Sequence, residues 1–446
     1  MKIFQRNLYH FLQKSLQEQW VDVIIGARQI GKTTLMKELV HYLEQQGTPE
    51  QHIIFLNLDN PELRTEITKK PSYFFTRIEE HFRQPLSKLQ GRHYLFLDEA
   101  QKLPLIFDLI KILYDEHHTQ LKIILSGSSS LTLQQSTAET LAGRSRFWRL
   151  SPLTWNEILQ NHFSLDCPSF IQELWNNGFS RQRYLQCVSE LSSHKEEVLF
   201  LWRKYLTQGG LPLAFLLEES EARSRWLGAY IENYLERDIR GLASVGDEHL
   251  FLSALKTILF RYASLLNLAN LSQEIDIQRA TLKKYLHVLQ ETFLVQLLYP
   301  FVRPPKISVK SPKLYFFDHG LANYSRHISS WDQLEAGQLL GKVYESTIAR
   351  NLLWAFHNDP QAPDIHFWRN YQDHEIDLVV ATPQRVLPIE ITFSEKLPRN
   401  KFKNFESFYK IFPKAQDGFL VWKGEYELFT LASGKKIHAL PFWMWW

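Results

Sequence analysis

The stretch Gly26-Ala27-Arg28-Gln29-Ile30-Gly31-Lys32-Thr33 constrains this chain more than any other. It follows the apolar run Val21-Asp22-Val23-Ile24-Ile25 and precedes Thr34-Leu35-Met36-Lys37-Glu38-Leu39. It therefore reads as a glycine loop between a buried-type strand and an amphipathic helix, with the Gly-x-x-x-x-Gly-Lys-Thr spacing of a Walker A motif. Glycines let backbone N–H groups wrap phosphate oxygens, and the helix that begins here adds the positive end of its dipole. In this pattern Lys32 sets a point charge against the β- and γ-phosphates and the Thr33 hydroxyl completes the coordination of Mg²⁺. Residues Gly26 to Thr34 are thus the predicted ATP-binding segment.

A nucleotide loop requires a sheet to hold it, and the chain supplies one. Strand-like runs at Val23–Ile25, Ile53–Leu58, Tyr94–Leu97, Lys122–Leu125 and Phe147–Leu150 alternate with helical patterns, the rhythm of a parallel sheet with crossover helices. The predicted fold class is α/β, a P-loop NTPase sheet. Its third strand ends in Leu95-Phe96-Leu97-Asp98-Glu99, which reads as a Walker B motif. Asp98 is expected to hold Mg²⁺ through water and Glu99 to polarise the attacking water. The next strand delivers Ser126-Gly127-Ser128-Ser129-Ser130 to the same edge. Ser126 or Ser128 is a candidate for a hydrogen bond to the γ-phosphate or the water, with a plain turn as the alternative. Arg144, in Leu141-Ala142-Gly143-Arg144-Ser145-Arg146, is the candidate trans-acting finger, with a surface salt bridge as the alternative. A finger in trans implies an ATP-dependent homo-oligomer.

The bulk properties exclude several classes. A chain of 446 residues has room for two to four domains. Its net charge of +3 is too small to demand a nucleic-acid partner, so any basic patch must be local. Cys167 and Cys187 are the sole cysteines, which removes a disulfide framework and a cysteine metal site and suits a reducing cytoplasm. The N-terminus lacks the unbroken apolar core of a signal peptide, and no run of about eighteen apolar residues occurs, so a soluble protein with no membrane partner is expected.

Several of these residues resemble a family. Arg6, the Gly26–Thr34 loop, Leu97-Asp98-Glu99-Ala100-Gln101, Ser126-Gly127-Ser128-Ser129 and Leu141-Ala142-Gly143-Arg144 ahead of Leu150-Ser151-Pro152-Leu153-Thr154 look like the prokaryotic AAA-type ATPases that carry a C-terminal domain of unknown function. Tyr205-Leu206-Thr207-Gln208-Gly209-Gly210-Leu211-Pro212 and Tyr230–Ile239 also match, so the resemblance spans nearly the whole chain. It implies ATP and Mg²⁺ as cofactors and leaves the physiological substrate open.

Beyond an ATPase core over residues 1–153, a helical lid or connector is expected over 154–225 and a helical, winged-helix region over 226–302. There Leu268–Ile275, a break at Asp276-Ile277 and Arg279–Leu289 read as helix-turn-helix. Leu282, Leu286 and Leu289 share one face and Lys283, Lys284, His287 and Gln290 lie away from it, as a helix offered to a DNA groove requires. Phe293–Tyr299 is the expected wing, and Pro300–Pro312, with Arg303, Lys306 and Lys310, reads as an extended basic connector.

From 313 to 446 an α/β domain is expected. Glu345 on a helix, then Asp377 and Glu390 on strands, are similar in order to the metal-binding acids of a PD-(D/E)XK nuclease fold. The lysine that such a site needs two residues past the last acid is replaced by Thr392. Lys396, roughly 13 Å further along a continuous strand, could substitute only if the strand ends or folds back. A retained fold without cleavage is the expectation. Two functional classes follow for the whole chain: an ATP-hydrolysing protein acting on DNA, or a nucleotide-controlled protein-interaction module.

Overall fold

Gly26 closes the first strand of a five-stranded sheet in which every neighbouring pair is parallel. The strands are β1 (Val21–Gly26), β2 (Ile53–Asn57), β3 (His93–Asp98), β4 (Leu121–Ser128) and β5 (Ser145–Arg149), in the order β2-β3-β4-β1-β5. β1, β3 and β4 are buried along their whole length, as apolar runs must be when crossover helices cover both faces. The structure, a computed structural model, describes residues 3–128, 139–163, 169–234, 248–261, 263–302 and 311–445. Ser129, Ser130 and the connector residues Arg303, Lys306 and Lys310 lie outside them.

One charge interrupts the apolar β1. Asp22 is fully buried and pairs with Lys122 of β4 at 2.8 Å, accepts from Trp148 Nε1 of β5 at 2.7 Å and from the Ser15 hydroxyl, which ends the helix Asn7–Ser15. Buried charges persist only when their partners are complete, and here two strands and a helix supply them.

The described chain divides into two compact units, one of residues 3–151 with 291–293 and one of residues 152–290 and 294–446. Residues 154–225, expected as a helical lid or connector, fall in the second unit. The helices Trp155–Phe163 and Lys195–Gln208 carry large aromatic rings that pack on elements from the end of the chain: Trp155 lies 4.9 Å from Trp202, and Trp202 lies 5.0 Å from Phe442 (ring centroids). The amide of Trp155 donates to Asn351 Oδ1 at 2.7 Å. Such aromatic burial contributes on the order of 1.5–3 kcal/mol per side chain and ties these helices to the C-terminal unit.

Within that second unit, helix Leu268–Ile275 is capped by Asn267, whose side chain accepts from Ala269 N and Asn270 N, and ends at Asp276 in the left-handed region. The helix Arg279–Glu291 follows. Next comes a three-stranded antiparallel sheet of β6 (Ser264–Leu265), β7 (Val295–Leu298) and β8 (Lys313–Phe316) in the order β6-β8-β7. β8 pairs with β7, which lies within the Phe293–Tyr299 segment. The last part is a six-stranded mixed sheet of β9 (Asp364–Arg369), β10 (Glu375–Ala381), β11 (Val386–Ile391), β12 (Gly418–Trp422), β13 (Glu427–Thr430) and β14 (Lys436–Pro441), in the order β13-β14-β12-β11-β10-β9. Helix Arg399–Ile411 buries Phe405, Phe408 and Tyr409 against it.

Candidate functional site

The loop after β1 is shaped by two glycines with different reasons. A Cβ on Gly26 would stand 2.6 Å from the backbone oxygen of Leu150, so close packing excludes a side chain there. Gly31 has φ +103°, which lets the loop turn into helix Lys32–Gln45. Lys32 is buried, and its ammonium donates to the carbonyls of Gly26 and Ala27, 2.9 Å each. Arg6 braces the loop from beneath: Nη1 donates to Ile30 O at 3.0 Å and Nη2 to Ser151 O at 2.5 Å.

Opposite the loop stands the end of β3. The Thr33 hydroxyl donates to Asp98 Oδ2 at 2.7 Å, and Ser126 Oγ of the intervening β4 donates to Asp98 Oδ1. Two hard oxygen donors at hydrogen-bond separation suit a Mg²⁺ that arrives with a nucleotide, so these residues fit the group their motifs imply. Glu99 has a left-handed backbone, φ 57° and ψ 42°, an unusual conformation for a residue with a Cβ. Its carboxylate accepts from Gln101 Nε2 at 2.5 Å, and the same amide donates to Ser128 Oγ at 2.9 Å. The structure therefore brings Lys32, Thr33, Asp98, Glu99, Ser126 and Ser128 to one sheet edge. Arg28 is half-buried, while Gln29 and Thr34 are exposed around them. Arg144 makes a forked pair with Asp115, Nε to Oδ1 at 2.6 Å and Nη2 to Oδ2 at 3.2 Å, in a solvent-exposed position.

The C-terminal acids also meet. Glu345 comes from helix Leu340–Phe356, Asp377 from β10 and Glu390 from β11, but two ammonium groups sit among them. Lys313 of β8 lies 2.9 Å from Glu345 and 3.4 Å from Asp377 and also pairs with Glu375. Lys401, from helix Arg399–Ile411, lies 3.0 Å from Asp377 and 2.5 Å from Glu390. Asn404 donates to the other Glu390 oxygen at 2.7 Å, and Ile391 N to Asp377 at 2.9 Å. Burial opposes the charge of Lys313, but Glu345, Asp377 and Glu375 outweigh it and hold the ammonium well above the ordinary lysine value. Burial likewise acts against Asp377, yet Lys401 and Lys313 keep its carboxyl below the usual carboxylate range. Burial and the Asp377 charge push Glu390 up. Lys396, the fallback candidate, is exposed and takes no part: β11 ends at Ile391, and the following helix carries Lys401 back over the acids. Among the described residues no group of three or more His, Cys, Asp or Glu is arranged to hold a metal ion.

Comparison with known proteins agrees with the first half of this geometry. Residues 18–159 match the family model described as an AAA domain. The N-terminal unit has an AAA-type P-loop ATPase fold. Residues 199–332 and 340–445 match two models described as domains of unknown function (DUF8612 and DUF4143). An uncharacterized protein of Mycobacterium tuberculosis is 26% identical over 393 residues, 88% of this chain and 74% of that protein. One of Haemophilus influenzae is 24% identical over 409 residues, 88% of this chain and 87% of the relative. Among solved structures, AMPPCP-bound DnaA from Aquifex aeolicus aligns over 64% of this chain and 86% of its own, with 12% identity and a TM-score of 0.25. C. elegans PCH-2 aligns over 40% of this chain and 51% of its own, with 13% identity and a TM-score of 0.28.

Three residues at these sites escaped sequence reasoning. Gln101 sits two positions past Glu99 in the AAA-type domain, and its amide was the available signal. Lys401 and Lys313 are remote in sequence from the acids they meet. No helix is long and apolar enough to cross a membrane among the described residues.

Proposed function

We propose that this chain is a Mg²⁺-dependent ATPase that works in a reducing cytoplasm as an ATP-promoted homo-oligomer and engages DNA through its C-terminal half without cutting it. The observation that carries the ATPase reading is the meeting of Thr33 with Asp98 at 2.7 Å, beside Lys32 and Glu99. With MgATP as substrate, Lys32 offsets charge on the β- and γ-phosphates, and Thr33 and Asp98 are the ligand and outer-sphere partner for the cation it brings. Glu99 takes the proton of the attacking water. The test is ATP turnover: Lys32→Ala loses nucleotide binding, whereas Glu99→Gln binds ATP but turns it over at least ~10²-fold more slowly, because an amide accepts no proton. Wild-type turnover by Glu99→Gln overturns the assignment.

The DNA reading is supported by helix Arg279–Glu291. Leu282, Leu286 and Leu289 are buried, and Arg279, Lys283, Lys284 and His287 are exposed. A basic face next to a three-stranded sheet suits a winged helix that lays cations along a phosphate backbone. Gel-shift titration at two salt concentrations tests it, since phosphate contacts weaken steeply with salt. Binding that is absent at low salt favours the protein-interaction reading instead.

A further inference from the structure

We infer that Gln101 is a positioning residue for Glu99, relaying the state of Ser128, and so of the phosphate loop, to the general base. The inference rests on the ATPase reading above. The left-handed Glu99 turns β3 into the short 3-10 turn Ala100–Lys102, in which Lys102 N donates back to Glu99 O at 3.0 Å. That reversal folds residue 101 over residue 99. A longer or straighter exit from the strand would carry the Gln101 amide away from the carboxylate it touches.

The amide then uses both of its protons. Nε2 donates to Glu99 Oε2 at 2.5 Å and to Ser128 Oγ at 2.9 Å, which exhausts the donors of a carboxamide NH₂. Its Oε1 is buried and accepts from no donor among the described residues, which leaves an acceptor beside the base for the hydrogen of a water. Ser128 is 5% exposed and stands at the end of β4, in register with Gly26, the first residue of the loop. A shift of that loop therefore reaches Glu99 through two hydrogen bonds. A glutamate side chain has three torsions to fix, and a base held by a bond to one oxygen keeps the other free for the proton it must take.

The test compares wild type with Gln101→Met, which keeps length and loses both hydrogen bonds, and with Ser128→Ala, Gln101→Met/Ser128→Ala and Glu99→Gln. Expected for Gln101→Met is a fall in kcat of about 10- to 100-fold with KM for ATP and the affinity for a non-hydrolysable ATP analogue within twofold of wild type. Ser128→Ala should lower kcat less, and the double variant should match Gln101→Met alone, since the serine acts through the glutamine. A residue that merely stabilises the turn would lower the melting temperature without lowering kcat at constant KM. Gln101→Met turning over within twofold of wild type, while Glu99→Gln is inactive, overturns this inference and leaves the ATPase reading standing. Undiminished turnover by Glu99→Gln overturns both.

Discussion

The Thr33 hydroxyl donates to Asp98 Oδ2 at 2.7 Å, so the first turn of the helix after the loop and the end of β3 meet across β4. The same carboxylate accepts from Ser126, which leaves its position fixed by two hydroxyls from different elements. A carboxylate held in this way orients water around a Mg²⁺ ion, and removing such an outer-sphere partner typically costs 10- to 100-fold in metal affinity. Asp98→Asn should therefore raise the Mg²⁺ concentration needed for half-maximal turnover by about that factor. Nucleotide binding in EDTA should stay near the wild-type level. A Mg²⁺ titration of turnover beside a fluorescent-nucleotide titration separates the two, and an unshifted Mg²⁺ midpoint would remove Asp98 from the cation's surroundings.

Arg144 is held by Asp115 in a forked, exposed pair. Solvent-exposed ion pairs exchange easily, so the guanidinium can leave Asp115 for a stronger anion such as a phosphate on a neighbouring subunit. Arg144→Ala should bind ATP normally and lose most turnover, and mixing it with Lys32→Ala subunits should restore part of it. Asp115→Ala, which frees the arginine, should not lower turnover. Specific activity that does not rise with protein concentration would count against a finger in trans.

How much of this was legible in the sequence depends on distance along the chain. The loop, the five strands and the Asp98-Glu99 pair are local patterns, and the structure places strands at each of those runs. The same holds for the break at Asp276 and for the buried face of Leu282, Leu286 and Leu289. What was not legible is what a face packs against. Trp155, Trp202 and Tyr205 mark amphipathic helices without saying that the burying surface arrives with Asn351 and Phe442. Thr392 breaks the expected lysine spacing, yet Lys401 returns from the next helix. Spacing rules assume that a strand continues, whereas β11 stops at Ile391.

His93, at the start of β3, stacks on His52 with ring centroids 4.0 Å apart and takes a hydrogen bond with Gln84 at 2.8 Å. Burial, reinforced by His52, pushes its pKa down to about 4. The folded value lies below the unfolded one, so the unfolded chain binds the proton first and stability falls as pH drops from about 6.5 to about 4. The loss attributable to this group is about 1–3 kcal/mol after allowance for solvent screening. Urea unfolding at pH 7 and pH 4.5, wild type against His93→Gln, should show a smaller acid loss in the variant. Equal losses would place the acid sensitivity elsewhere.

Lys313 and Lys401 bring two positive charges among Glu345, Glu375, Asp377 and Glu390. Lys313 is 3% exposed, and its removal takes the ammonium from Glu345 and leaves Asp377 with Lys401 alone, a change of the kind that typically costs about 3–5 kcal/mol. Lys313→Met should therefore destabilise strongly. Lys401→Met, at a more exposed position, should destabilise less. A lysine is present after all, but the oxygens that would gather Mg²⁺ are already shared between two ammonium groups, Asn404 and the Ile391 amide. A divalent ion would have to displace Lys313, and the electrostatic gain of its charge is offset by the buried lysine left without partners. Supercoiled plasmid incubated with the full chain and Mg²⁺ or Mn²⁺ should stay intact. Addition of either ion should leave the unfolding midpoint of the Lys32→Ala protein, which lacks the nucleotide site, unchanged. Nicking by the wild type that disappears in Asp377→Ala/Glu390→Ala would show that the acids do collect a metal and that Lys401 serves the chemistry rather than the fold.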